Sequence, residues 1–88
     1  MIKIDASSVC SSRLEDETLI LNLDSGFYYT LDAVATEMWE MLVKTRDPEQ
    51  VVPVIAERYG VPTETVAGDL KELLSHLEAE GLVQQLEA

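Results

Sequence analysis

The sequence predicts an α+β domain, because apolar residues alternate with period two in its first third and recur at helical spacing afterwards. A third observation concerns its unity. No Pro/Gly/Ser linker and no internal repeat divides the 88 residues, so residues 1–88 are read as one domain with a modest hydrophobic core.

Residues 9 to 14 of "SSVCSSRLED" make the first strand candidate, followed by the acidic turn Glu15-Asp16-Glu17. "TLILNL" alternates: Leu19, Leu21 and Leu23 point one way, Thr18, Ile20 and Asn22 the other. Asp24-Ser25-Gly26 supplies turn chemistry, with Gly26 free to adopt positive φ. "FYYTL" then returns antiparallel. The result is a hairpin, or a three-stranded antiparallel β-meander where the first strand forms.

Helix signals follow. Leu31, Val34, Ala35, Met38 and Leu42 recur at helical spacing with Trp39 beside them, and Asp32 sits where an N-cap or first-turn acid belongs, so a helix is expected from about 32 to 43 or 44. Asp47-Pro48-Glu49-Gln50 is a start signal with Asp as N-cap, Pro at the first helical position and Gln as in a capping box. That second helix carries Val51, Val52, Ile55 and Tyr59 and stops at Gly60. Pro53 inside it removes a donor to Glu49, which predicts distortion rather than a break. From Thr63 the third helix places Val66, Leu70, Leu73, Leu74 and Leu77 on one face, and Gly81 caps it. Leu82, Val83 and Leu86 are expected to fold back onto the core. Three α-helices with "ERYGVPTETV" as the tight second connection make a helix-turn-helix, and the strands in front make it a winged helix-turn-helix.

Charge separates this architecture from DNA reading. Seventeen acids against six bases give a net charge of −11, which repels nucleic acid and anionic membranes and favours a neutral or basic partner. The third helix offers Glu64, Asp69, Glu72, Glu78 and Glu80 against Lys71 alone, where a base-reading helix needs Arg, Lys, Asn or Gln. A transcription regulator is therefore the weaker alternative.

Enzymatic chemistry has little support. Cys10 is the one cysteine, so neither an intramolecular disulfide nor a thiolate-rich metal site can form, and a reducing, cytoplasmic setting is the simplest expectation. His76 is the one histidine and lies far along the chain from Cys10, at the border of the apolar face of the third helix, where a surface or half-buried role is ordinary. The carboxylate pairs Glu37/Glu40 and Glu78/Glu80 lie on helices that also need solvated faces. No Gly-rich phosphate loop occurs, no cofactor is expected, and neither a signal peptide nor a membrane-spanning run is visible.

The aromatic strand is the candidate site. In "GFYYTL", Phe27, Tyr29 and Leu31 share one face, Tyr28 and Thr30 the other. No Pro, Lys or inward charge blunts this strand, and an unprotected edge invites an extended peptide that adds one more strand. The alternatives are that the strand is central, that the third helix covers its edge, or that the edge makes a homodimer.

"LDSGFYYTLD", the helix "A-x-x-M-W-E-M-L", a second helix ending "ERYGV" and a third reading "VAGDLKELLSHLEAEGLV" together resemble the PqqD family over about residues 8 to 84. The Gly-aromatic-aromatic-aromatic-x-Leu exit, Trp39, Asp69 before Leu70 and the ending Leu77-x-x-x-Gly81-Leu82 carry the resemblance. It implies a non-catalytic winged helix-turn-helix that grips the leader of a ribosomally synthesised, post-translationally modified peptide and presents it to a modifying enzyme. The leader would add antiparallel to the strand Gly26, Phe27, Tyr28, Tyr29, Thr30 and Leu31, against third-helix residues near Val66, Asp69, Leu70, Leu73 and Leu77. Asp69 would take a hydrogen bond or a leader cation. "GFYYTL" and Trp39 look closer to stand-alone recognition proteins of lasso-peptide clusters than to the protein of pyrroloquinoline quinone (PQQ) biosynthesis. Pro53 and the acidic turn depart from the family pattern. The partner enzyme is then a leader peptidase, a radical S-adenosylmethionine enzyme or a kinase, and the chain itself a monomer or weak dimer.

Overall fold

A computed structural model describes residues 1–5 and 7–85; the expected packing of Leu86 lies outside them. The element order is β1 (Ile2–Lys3), β2 (Val9–Leu14), β3 (Glu17–Asn22), β4 (Tyr28–Leu31), α1 (Ala33–Thr45), α2 (Pro48–Tyr59), α3 (Thr63–Ala79) and β5 (Gln84–Gln85). Strands β2, β3 and β4 form an antiparallel sheet in that order, so the first strand candidate does form. Sequence periodicity misses β1 and β5, which pair antiparallel through Ile2–Gln85 and Lys3–Gln84. Two residues each are too few to show a period.

The two faces of β3 are used differently. Thr18, Ile20 and Asn22 are buried, whereas Leu19 and Leu21 are half-buried and Leu23 is exposed. The core takes the more polar face because Asn22 finds partners there. Its Nδ2 donates to the Glu80 carbonyl at 3.2 Å, and its Oδ1 accepts from the backbone N–H of Asp24 at 2.9 Å and of Ser25 at 3.3 Å. One side chain thus fixes both the β3–β4 turn and the end of α3, and a buried amide with its hydrogen bonds satisfied costs little. Thr18 Oγ1, by contrast, is buried without a hydrogen-bond partner.

Each helix begins or ends on an identifiable device. Asp32 caps α1, its carboxylate accepting from the Ala35 N–H at 2.9 Å. Asp47 caps α2 by accepting from the Glu49 N–H at 3.1 Å, with Pro48 following it. Gln50 reaches the Asp47 carboxylate at 3.1 Å rather than its backbone. Helix α2 runs on through Pro53 as one element, its side chain facing solvent. Gly60 at φ +63° ends it, donating to the carbonyls of Ala56 and Glu57. After α3, Gly81 adopts φ +71°.

The core joins Ile20 and Leu31 of the sheet to Met38, Trp39 and Leu42 of α1, Val51 and Ile55 of α2, and Val66, Leu70, Leu73, Leu74 and Leu77 of α3; Leu82 and Val83 fold back onto it. Two positions on the expected helical faces are exposed instead. Val34 is exposed on the first turn of α1 and Thr36 is buried instead, its hydroxyl within 3.4 Å of the Leu31 carbonyl. Tyr59 is exposed, and its hydroxyl donates to Glu37, which also pairs with Arg58 at 3.1 Å. That hydrogen bond to a carboxylate holds the Tyr59 hydroxyl above the usual phenol range. Near the N-terminus the hydroxyl and N–H of Ser7 hold the Asp5 carboxyl below its usual range.

Candidate peptide-binding site

Sheet order makes β4 an edge strand, because it pairs with β3 on one side and with no described residue on the other. Which of its backbone groups point outward follows from the ladder. Opposite residues in an antiparallel pair alternate between hydrogen-bonded and non-bonded. Asn22 donates to the Phe27 carbonyl at 2.8 Å, and the register continues as Leu21–Tyr28, Ile20–Tyr29, Leu19–Thr30 and Thr18–Leu31. Tyr29 and Leu31 therefore bond to β3. The N–H and C=O of Tyr28 and Thr30 face the open edge.

The opposite edge of the sheet is not equivalent. In β2, Arg13 pairs with Thr18 and so shares the inner face; its guanidinium meets Glu40 of α1 at 2.6 Å. An inward charge of this kind blunts an edge against strand addition. Within β4 there is no charge and no proline.

Beside the open edge runs α3. Tyr29 is the aromatic that turns inward: it is half-buried, and its hydroxyl lies 3.3 Å from His76 Nδ1, with the rings tilted at 50° and their centroids 6.4 Å apart. Asn22, opposite Phe27, meets the C-terminal end of α3 at Glu80, while Tyr29, further along β4, meets His76, one helical turn earlier. Strand and helix thus run antiparallel. Asp69 and Glu72 lie seven and four residues before His76, on the same stripe of the helix, so they stand toward the Leu31 end of the seam.

The candidate residues divide by burial. Gly26, Phe27, Tyr28, Thr30 and Asp69 are exposed, and Tyr29 is half-buried. Leu31, Val66, Leu70, Leu73 and Leu77 have their side chains in the core. The ladder of β4 starts at Tyr28, so Gly26 and Phe27 precede the strand. His76, for which the sequence suggests an ordinary surface or half-buried role, is a seam residue; its seven-residue spacing from Asp69 is the signal that groups the two.

Other chemistry is scattered. Cys10 is exposed on the outer side of β2, with β3 between it and the Tyr29–His76 pair. Glu37 and Glu40 are engaged by Arg58 and Arg13. Among the described residues no cluster of His, Cys, Asp and Glu could hold a metal ion, and no helix is long and apolar enough to cross a membrane.

Comparison with known proteins places this geometry. Residues 17–83 match the family model for coenzyme PQQ synthesis protein D (PqqD). The fold superposes with a TM-score of 0.88 on TbiB1, solved in complex with the TbiA(beta) leader peptide, at 34% sequence identity and covering 98% of this chain and 99% of that one. Among curated proteins none matches significantly. The match spans β3 to the end of the core, including the open strand, both halves of the seam and Asn22 that joins them, and the chain belongs to the PqqD family.

Proposed function

We propose that the chain is a non-catalytic recognition domain that captures the leader of a ribosomally made precursor peptide and delivers it to a modifying enzyme. The observation that carries this reading is the open, unblunted edge of β4 beside α3, in a fold shared with a protein solved with a leader peptide. An extended leader adds antiparallel to β4, bonds to the N–H and C=O of Tyr28 and Thr30, and lays alternate side chains into the seam with α3. Gly26 and Phe27 flank its entry. Asp69 and Glu72 then stand toward the leader's N-terminal end, where they favour a cation. Leu31, Val66, Leu70, Leu73 and Leu77 act from beneath, as the floor that keeps β4 and α3 in place.

In this reading the sheet is the wing of a winged helix-turn-helix formed by α2 and α3, put to use for peptides. The acidic face of α3 weighs against nucleic acid. The domain, about residues 8 to 84, works in the cytoplasm as a monomer or weak dimer. Its partner enzyme is a leader peptidase or a radical S-adenosylmethionine enzyme of a lasso-peptide-like or PQQ-like pathway, and its contribution is to raise the local concentration of substrate at that active site.

Proline substitution tests the geometry. Thr30→Pro removes an outward N–H and leaves the β3 ladder intact, so the variant is expected to fold and to bind a synthetic copy of its precursor's leader about tenfold or more weakly. Tyr29→Pro removes a ladder bond and should damage folding instead. Leader-induced amide shifts confined to residues outside β4 and α3 would overturn the assignment.

A further inference from the structure

The outer face of the sheet carries a row of apolar residues where an antiparallel sheet with one solvated side ordinarily alternates to polar ones. Leu14, Leu19, Leu21, Tyr28 and Thr30 share it by register with Cys10, Ser12 and Glu17, and Leu23 lies just beyond β3. Leu14 is 67% exposed, Leu23 55% and Tyr28 64%. Leu14 and Leu19 are diagonal neighbours across β2 and β3, and they line one shallow depression with Glu17, Thr18 and Thr30. A contiguous exposed apolar patch of this kind marks an interaction surface.

Charge selects the occupant. At one end of the face lie Glu15 and Asp16 in the β2–β3 turn and Glu17 on the face itself; at the other lies Asp24 in the β3–β4 turn. Arg13, the one cation in these three strands, points to the opposite face and is held by Glu40. A second copy would bring the same acids and another net charge of −11, and an anionic membrane is repelled likewise. We propose that the outer face of the sheet docks the modifying enzyme through an apolar patch on that enzyme rimmed with Lys and Arg. This rests on the peptide-presenting reading above.

The face is continuous with the open edge. Tyr28 and Thr30 lie on it, and they are also the residues whose backbone groups meet an incoming strand. A bound leader therefore sets alternate side chains beside Tyr28 and Thr30, on the same surface the enzyme covers. The enzyme meets an extended surface when the domain is loaded and a shorter one when it is empty, so the two affinities are coupled, and coupled reciprocally.

The test titrates the full chain, with and without the synthetic leader, against the purified modifying enzyme of the same pathway. Leu14→Glu and Leu23→Glu change exposed side chains outside the leader site. Each is expected to weaken enzyme binding about tenfold or more while leader affinity stays within about twofold, and the wild-type pair should weaken as salt rises. Leu14→Ser, with circular dichroism of every variant, separates loss of the patch from loss of fold. Enzyme binding indifferent to both leucines, no enzyme binding by the loaded wild type, or burial of the leucines in a dimer of this chain would each overturn the docking surface while leader binding stands. Failure of the wild type to bind leader would remove the reading it rests on and the docking proposal with it.

Discussion

The Tyr29 hydroxyl lies 3.3 Å from His76 Nδ1, and this pair is the polar tie between the open-edged strand and the helix that flanks it. The tie crosses the seam where a leader side chain would enter. Because His76 is exposed, the hydrogen bond competes with water, and Tyr29→Phe should lower stability by no more than about 1 kcal/mol. Tyr29→Ala removes a half-buried ring and should cost about 2 kcal/mol or more. Urea denaturation midpoints of the two variants check the difference.

Asn22 and Gly81 make a second junction, at the end of α3. A Cβ on Gly81 would stand 3.2 Å from Asn22 Nδ2, on a backbone at φ +71°. Gly81→Ala therefore combines left-handed strain of about 1–2 kcal/mol with a push on the amide that holds the β3–β4 turn. A lowered thermal midpoint is expected, together with shifted amide signals at Asp24 and Ser25, whose N–H groups bond to the same side chain.

The fold could be read from the sequence wherever the deciding interactions are local. Caps at Asp32 and Asp47, the stop at Gly60 and the five-residue apolar face of α3 depend on near neighbours, and the structure carries all of them. The choice of core face in β3 could not be read, because both faces hold apolar residues and the choice turns on Asn22 meeting Glu80, 58 positions away. Tyr59 fits the helical period yet faces solvent, since its partner Glu37 lies on another helix. At the candidate site the residue types were visible in "GFYYTL". That β4 ends the sheet, and that Tyr28 and Thr30 carry the outward groups, are properties of strand order and register.

Tyr59 gives a pH prediction. Its hydroxyl titrates above the ordinary 10.0 because the proton it keeps is donated to Glu37. A raised value contributes stability that is fully present below the unfolded value and is lost as pH rises through the folded one. Wild type should thus lose stability above pH 10.0, and Y59F, which has no such proton, should show a flatter profile there. Guanidinium midpoints measured across that range decide it.

Arg13 and Glu40 are both about half exposed, so breaking their pair in Arg13→Val should change stability by no more than about 1 kcal/mol. The larger effect is expected in association. Removing the inward charge leaves β2 as unprotected as β4, and sedimentation velocity should show stronger concentration-dependent self-association than in wild type.

An edge with two outward residues sets a ceiling on what backbone pairing contributes to affinity. Tyr28 and Thr30 present one N–H and one C=O each, and at about 1 kcal/mol net per hydrogen bond those groups supply about 4 kcal/mol, equivalent to a dissociation constant near 1 mM. Ordering an extended peptide subtracts from that sum. On the proposed reading the ladder aligns any strand that arrives, and discrimination between one leader and another comes from the side chains that enter the seam.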